Sequence, residues 1–333
     1  MRFVIFGAGA IGGVVGGKLH QAGHDVALIA RGAHYEAIRD RGLTIEQPHQ
    51  TAAIQIPVAD SPGALEWTGE DVVMVATKSQ DTAGALEALR GSAPASIPVV
   101  CLQNGVENER LALRLFANVY GAVVMSPTAH LEPGIVQAYG TRGTGVIDVG
   151  RYPSGLDALS EEITTALGAS DFSSMARPDI MRFKYAKLLS NLGNAVDAIC
   201  EPGPDADELN QVAREEGTAV LGTAGIEFVA PEVNDVEARW ARLELKPIAG
   251  RERAGSSTRQ SVARGTPTVE TDYLNGEVSL LGRLHRVATP INDALCALSA
   301  RHVRERLAPQ TVHAREVLAL ARSADYADGP VRR

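Results

Sequence analysis

Five short, mainly apolar runs mark the first 125 residues: Arg2–Phe6, Asp25–Ala30, Asp71–Thr77, Pro98–Leu102 and Val119–Met125. Between them, apolar residues spaced at three and four positions predict helices over Ile11–Gln21, Thr82–Leu89 and Asn108–Ala117. Unbroken apolar strands alternating with helices predict a parallel sheet covered on both faces. Beyond about residue 170 the period turns helical, over Ile180–Ile199, Asp205–Ala224, Val233–Leu245, Thr268–His285 and Ile291–Arg306. The fold class read from this pattern is α/β, with a doubly wound N-terminal domain over residues 1–174 and an all-α C-terminal domain over 175–322. Ser323–Arg333, polar and carrying Gly-Pro, reads as a flexible tail.

Composition agrees with two domains. A chain of 333 residues exceeds the size at which one core usually keeps growing, and 45% hydrophobic residues can fill two. A formal charge of −8 gives no overall positive field to gather nucleic acid, so an anionic ligand has to find local basic residues. Cys101, Cys200 and Cys296 form no CxxC pair, which predicts neither a metal site nor a disulfide framework. The first residues enter a strand directly, without a leader pattern, and no later run is apolar enough to span a membrane, so the expected setting is cytoplasmic.

Gly7, Ala8, Gly9, Ala10, Ile11 and Gly12 form a GxGxxG directly after the first strand and before the first helix. That context predicts a Rossmann domain: Gly7 for the tight turn, Gly9 for close approach of backbone to a pyrophosphate, Gly12 for helix-sheet packing. At the end of the second strand, where an acid would meet the ribose hydroxyls of NAD, the chain has Arg31. A guanidinium fork suits a 2′-phosphate, so the expected cofactor is NADP(H). Lys78, just past the third run, stands where a strand's carboxyl end meets a dinucleotide.

In the helical half, Lys184, Lys187, Asn191 and Asn194 fall at intervals of three, four and three, which places them on one stripe. Amides and a lysine suit a site there, or a solvent face. The hydroxyl-rich stretch around Ser256 and Ser257 suits either carboxylate binding or helix capping. Among Glu270, Asp272 and Glu277, composition alone does not single out an acid.

Taken together, FGAGAIGG, LIARG, ATKSQDT, LQNGVENE, KLLSNLGNAV and VETDYLNGEVSLLGRLHRVATPIN, in that order, resemble the ketopantoate reductases (2-dehydropantoate 2-reductases). The resemblance implies an NADPH-dependent oxidoreductase that reduces 2-dehydropantoate, or a close 2-oxo acid, in pantothenate biosynthesis. It makes Lys187 the catalytic lysine and Glu270 the acid that positions substrate and lysine. It also places Asn104, Asn191 and Asn194 near nicotinamide and substrate, and Ser257 or its neighbour Ser256 at the substrate carboxylate. Lys184 is the local rival of Lys187.

Three departures cluster on the substrate side. Ser261 stands where the family usually has Asp, GTPTVE carries one extra residue before the glutamate, and Asn194 follows Asn191 by three residues instead of four. An NADPH-dependent reductase of an imine or of a 3-oxo or 3-hydroxy acid would share both halves. A non-catalytic NADPH-binding sensor would be expected to have lost Lys187 or Glu270, and both are present. The apolar stretches Val278–Leu284 and Leu295–Val303 add the expectation of a homodimer formed through the helical domain.

Overall fold

The computed structural model describes residues 1–251, 255–263, 265 and 268–322. The tail expected at Ser323–Arg333 lies outside the described residues, as does the side chain of Ser257. The chain divides into two units: Met1–Lys184 with Val229–Arg253, and Tyr185–Phe228 with Ala254–Arg333.

The first unit contains β1 (Arg2–Phe6), β2 (Asp25–Ile29), β3 (Leu43–Gln47), β4 (Gln50–Ile54), β5 (Val58–Ala59) and β6 (Asp71–Val75). It continues with β7 (Val99–Cys101), β8 (Val119–Met125), β9 (Thr128–Ala129), β10 (Ile135–Ala138), β11 (Gly145–Arg151) and β12 (Phe172–Ser173). Eight strands form one sheet in the order β12-β11-β8-β7-β6-β1-β2-β5. All its pairings are parallel except β8 with β11. The run from β8 to β5 has the order of a Rossmann sheet, and β1, β6 and β7 are buried almost throughout, as continuous apolar strands require.

A second sheet, β4-β3-β10-β9, was not legible in the hydrophobic pattern. In β3 buried positions alternate with partly exposed ones, β4 has no buried residue and β9 has only two residues, so this sheet lacks the unbroken apolar runs that announce the first one. The helix Ala10–Gln21 packs against both sheets, and its glycines show how. A Cβ at Gly12 or Gly16 would strike Ile5 of β1, at 2.9 Å in each case, whereas one at Gly13 or Gly17 would strike Val136 of β10 or Ile45 of β3 at 2.7 and 2.5 Å. Two glycine rows, each spaced by one turn, therefore let the helix backbone approach a sheet on either side.

The stretch Val233–Leu245, expected as one helix of the second domain, is corrected on both counts. It contains only the helix Asp235–Ala241, and Leu245 bridges to Gly140 in the first unit. Charge holds it there: Arg239 and Arg177 both bond the fully buried Asp148, and Arg251 bonds Glu46 at 2.8 Å and also reaches Glu132. Helical periodicity carries no sign of partners so distant in sequence.

The helix expected over Ile180–Ile199 is two helices, Ile180–Asn191 and Gly193–Ile199. The Leu192 carbonyl at the break accepts from the side chain of Asn275. The division between units falls inside the first of these helices, between Lys184 and Tyr185. The helices Pro204–Thr223, Asn275–His285 and Pro290–Glu305 enclose the second core, around Leu209, Val220, Val278 and Leu295. Glu216 accepts from the amides of Ile291 and Asn292 and so caps the last of these helices from a neighbouring one. No helix among the described residues is long and apolar enough to cross a membrane.

Candidate functional site

The site residues of the first unit gather at the carboxyl ends of β1, β2, β6 and β7. Gly7 has a φ of +107°, a conformation that suits glycine, and a Cβ there would lie 2.9 Å from the Thr77 amide. Gly12 is closed by packing, since a Cβ would lie 2.1 Å from the Gly7 carbonyl oxygen. Gly9 differs, because nothing lies within 4 Å of the position its Cβ would take.

After Gly7 and Ala8, whose amides donate to Ile29, the amides of Gly9, Ala10, Ile11 and Gly12 find no protein acceptor among the described residues. No side chain caps this helix, and its first turn holds no acid. An uncapped helix start with free amides and open space is a cradle for a phosphate, and the residues present fit the pyrophosphate of a dinucleotide.

Arg31 is exposed at the start of the helix Gly32–Arg41 and makes no side-chain hydrogen bond or ion pair among the described residues. Lys78 is half-buried and begins a short 3-10 turn over Ser79–Asp81. Asn104 is half-buried in the loop after β7. A buried polar network that the sequence reading missed fixes both loops. The Gln103 amide donates to the Thr82 hydroxyl at 2.9 Å, and that hydroxyl donates to Asn108 at 2.9 Å. Asn108 in turn donates to Ser79 at 3.2 Å and to the Asn104 carbonyl at 3.0 Å. ATKSQDT and LQNGVENE supplied the letters, but nothing in either segment says that they bond one another.

Lys184 is buried among polar partners. Its ammonium donates to the carbonyls of Gln103 and Ala122, at 2.9 and 3.1 Å, and lies 2.8 Å from the carboxylate of Glu109. Lysine has three donors, and all are engaged at a side chain only 2% exposed. Burial pushes the Glu109 carboxyl above its ordinary value, against the pull of this ammonium.

In the second unit Lys187 is half-buried, and Asn191, one turn further along the same helix, is buried with its amide nitrogen unpartnered among the described residues. Asn194 belongs to the next helix, so the expected continuous stripe is interrupted at Leu192. Ser256 takes the capping role: its hydroxyl accepts from the Arg259 amide and faces the Asn194 carbonyl, while its own amide donates to Asp197. Thr258, two residues on in the same hydroxyl-rich stretch, is buried with its hydroxyl unpartnered among the described residues. Glu270 is buried at the start of a 3-10 turn over Glu270–Tyr273, and Ser261 is buried on the helix Ser257–Ala263. The extra residue before Glu270 falls in a loop that lies partly outside the described residues.

Two family models match the chain: ketopantoate reductase PanE/ApbA over residues 3–154 and its C-terminal counterpart over 179–302. A 2-dehydropantoate 2-reductase of Pyrococcus horikoshii is 31% identical over 306 residues, covering 90% of this chain and 96% of its own. The crystal structure of a PanE/ApbA family ketopantoate reductase from Ralstonia eutropha JMP134 is 30% identical with a TM-score of 0.77, covering 92% of this chain and 99% of its own. D-mandelate dehydrogenase, in a ternary structure with NADH and anilino(oxo)acetate, matches with a TM-score of 0.76 at 22% identity, covering 92% and 99%, and so shares the fold. The chain belongs to the ketopantoate reductase family, whose members are NAD(P)H-dependent oxidoreductases.

Proposed function

We propose that this chain reduces a small 2-oxo acid to the 2-hydroxy acid with NADPH, the substrate being 2-dehydropantoate or a close analogue. The observation that carries the substrate class is the buried, unpartnered amide of Asn191 one turn beyond the half-buried Lys187. A spare donor beside an ammonium suits an anionic substrate that carries a carbonyl. The free amides of Gly9, Ala10, Ile11 and Gly12, with Ala8 and Gly7 before them, support a pyrophosphate, and unpaired Arg31 supports a 2′-phosphate and hence NADP(H) over NAD(H). Lys78 and Asn104 are assigned to the ribose-phosphate and nicotinamide ends, on loops held by one polar network.

When bound, NADPH would supply a hydride to the carbonyl carbon. Lys187, as the ammonium, stabilises the negative oxygen that results and gives it a proton, which completes the alcohol. Glu270 is assigned to holding the substrate hydroxyl and favouring the charged lysine. Asn191 and Asn194 orient the substrate, and Ser257 is assigned to its carboxylate, since the hydroxyl of Ser256 is engaged in capping. We place the reaction in the cytoplasm and in a homodimer formed through the second unit, where Leu280 and Leu284 are 42% and 67% exposed.

Loss of nicotinamide absorbance with 2-oxo acids, imines and 3-oxo acids in parallel tests the reading. Turnover should be fastest with a 2-oxo acid and with NADPH over NADH. Imine reduction with every 2-oxo acid refused would overturn it, and light scattering that shows only a 35 kDa species would remove the dimer.

A further inference from the structure

His34, in the first turn of the helix that follows Arg31, reaches back to the phosphate-binding turn. Its Nδ1 accepts from the Gly134 amide at 2.8 Å, so the ring's proton sits on Nε2, and Nε2 donates to the Ala8 carbonyl at 2.7 Å. The chain itself thus fixes the tautomer. The His130 ring lies tilted against that of His34 with centroids 4.1 Å apart, its own Nδ1 facing the Ile135 carbonyl at 3.0 Å. Burial, and secondarily this neighbouring imidazole, pushes His34 down to about 4, so it is neutral across ordinary pH and keeps the acceptor that Gly134 requires.

A trans peptide is planar, and the N–H of one residue points opposite to the carbonyl before it. With the Ala8 carbonyl held by His34, the Gly9 amide is turned to the opposite side, where it is the first of the unpartnered amides of the turn. We propose that His34 is a positioning residue for the dinucleotide, its Nε2–H bond to Ala8 setting the plane of the Ala8–Gly9 peptide for contact with the pyrophosphate. This rests on the reading of the turn as the NADPH site. His34 also links the segment that begins at Arg31 to the turn, so one side chain couples two parts of the proposed cofactor site.

Two near-isosteres separate its two bonds. The amide of His34→Gln can stand in for Nε2–H and keep the donor to Ala8. His34→Asn can stand in for Nδ1 with its oxygen and keep the Gly134 bond, but leaves the Ala8 carbonyl without its donor. NADPH and NADH affinities are measured by fluorescence titration, with KM, kcat and melting temperature on the same proteins. His34→Asn should weaken both cofactors by about tenfold and raise the cofactor KM by the same factor, with kcat retained at saturation. His34→Gln should restore affinity to within about threefold of the original chain. Weakening of both cofactors alike separates this role from that of Arg31, which concerns the 2′-phosphate alone. If His34→Asn binds both cofactors as the original chain does, or if both variants lose affinity and melting temperature equally, the positioning role is overturned. Failure of the unsubstituted chain to bind NADPH would overturn the cofactor reading as well.

Discussion

The turn at Gly7–Gly12 and the helix that carries Lys184 and Lys187 offer polar groups by opposite means. The turn does so by having almost no side chains, so that bare amides face open space. The helix carries two lysines three residues apart, one buried against Glu109 and two carbonyls, the other half exposed. A site made of backbone can be read from local rules, because glycine spacing between a strand and a helix announces it. In a site made of side chains, a residue's role depends on partners brought from far along the chain, and identical residue types end in different employments.

The sharpest test of that contrast replaces each lysine in turn. Lys187→Ala should lower kcat and kcat/KM together, by about 10²–10⁴-fold for loss of general acid help, with little change in melting temperature. Lys184→Ala should instead act on the fold, because it leaves Glu109 buried without its counter-charge, a loss of about 3–5 kcal/mol in denaturant unfolding. Lys184→Met combined with Glu109→Leu should recover most of that stability, since a buried pair is often replaceable by apolar residues. If Lys184→Ala is stable but inactive, the two roles are reversed.

Within the turn, the glycines separate in the same manner. Gly12→Ala sets a methyl 2.1 Å from the Gly7 carbonyl oxygen and should cost about 1–3 kcal/mol of stability. Gly9→Ala meets no protein atom, so thermal melting should be unchanged while NADPH binding weakens. Equal melting losses at both positions would contradict this division.

Arg31→Ala should have the narrowest effect. NADPH binding should fall by about 1.5–3 kcal/mol, with NADH binding and melting temperature unchanged, as read by titration with the two cofactors. Equal loss for both cofactors would remove the 2′-phosphate from the interpretation.

The same contrast explains what was legible in the sequence. β1, β2, β6, β7 and β8 are runs of consecutive buried residues and announce themselves. β3 and β4 do not, since Leu43 and Ile45 alternate with polar positions and β4 keeps no fully buried residue. The break at Leu192 was invisible because Leu192 itself keeps helical angles, and the side chain that bonds its carbonyl, Asn275, lies far along the chain. Lys78 and Arg31 could be placed at strand ends from pattern alone, whereas Asn104 came only with the family resemblance. The hydroxyl and amide chain through Thr82, Gln103 and Asn108 could not, because its bonds cross from one loop to another. His34 carried no motif at all, and its importance lies in geometry: a ring that meets Ala8 on one nitrogen and Gly134 on the other.

The return of Val229–Arg253 to the first unit has a consequence for how this protein is made and for how it can be cut. A nascent chain that has emerged only as far as Lys184 holds every strand of both sheets, yet its buried Asp148 has Arg177 without Arg239, and Glu46 has no Arg251. The first unit is therefore finished only after the ribosome has passed through the opening helices of the second. A fragment trimmed at the obvious boundary would carry an undercharged interior, and a truncation meant to isolate nucleotide binding needs the later segment grafted back.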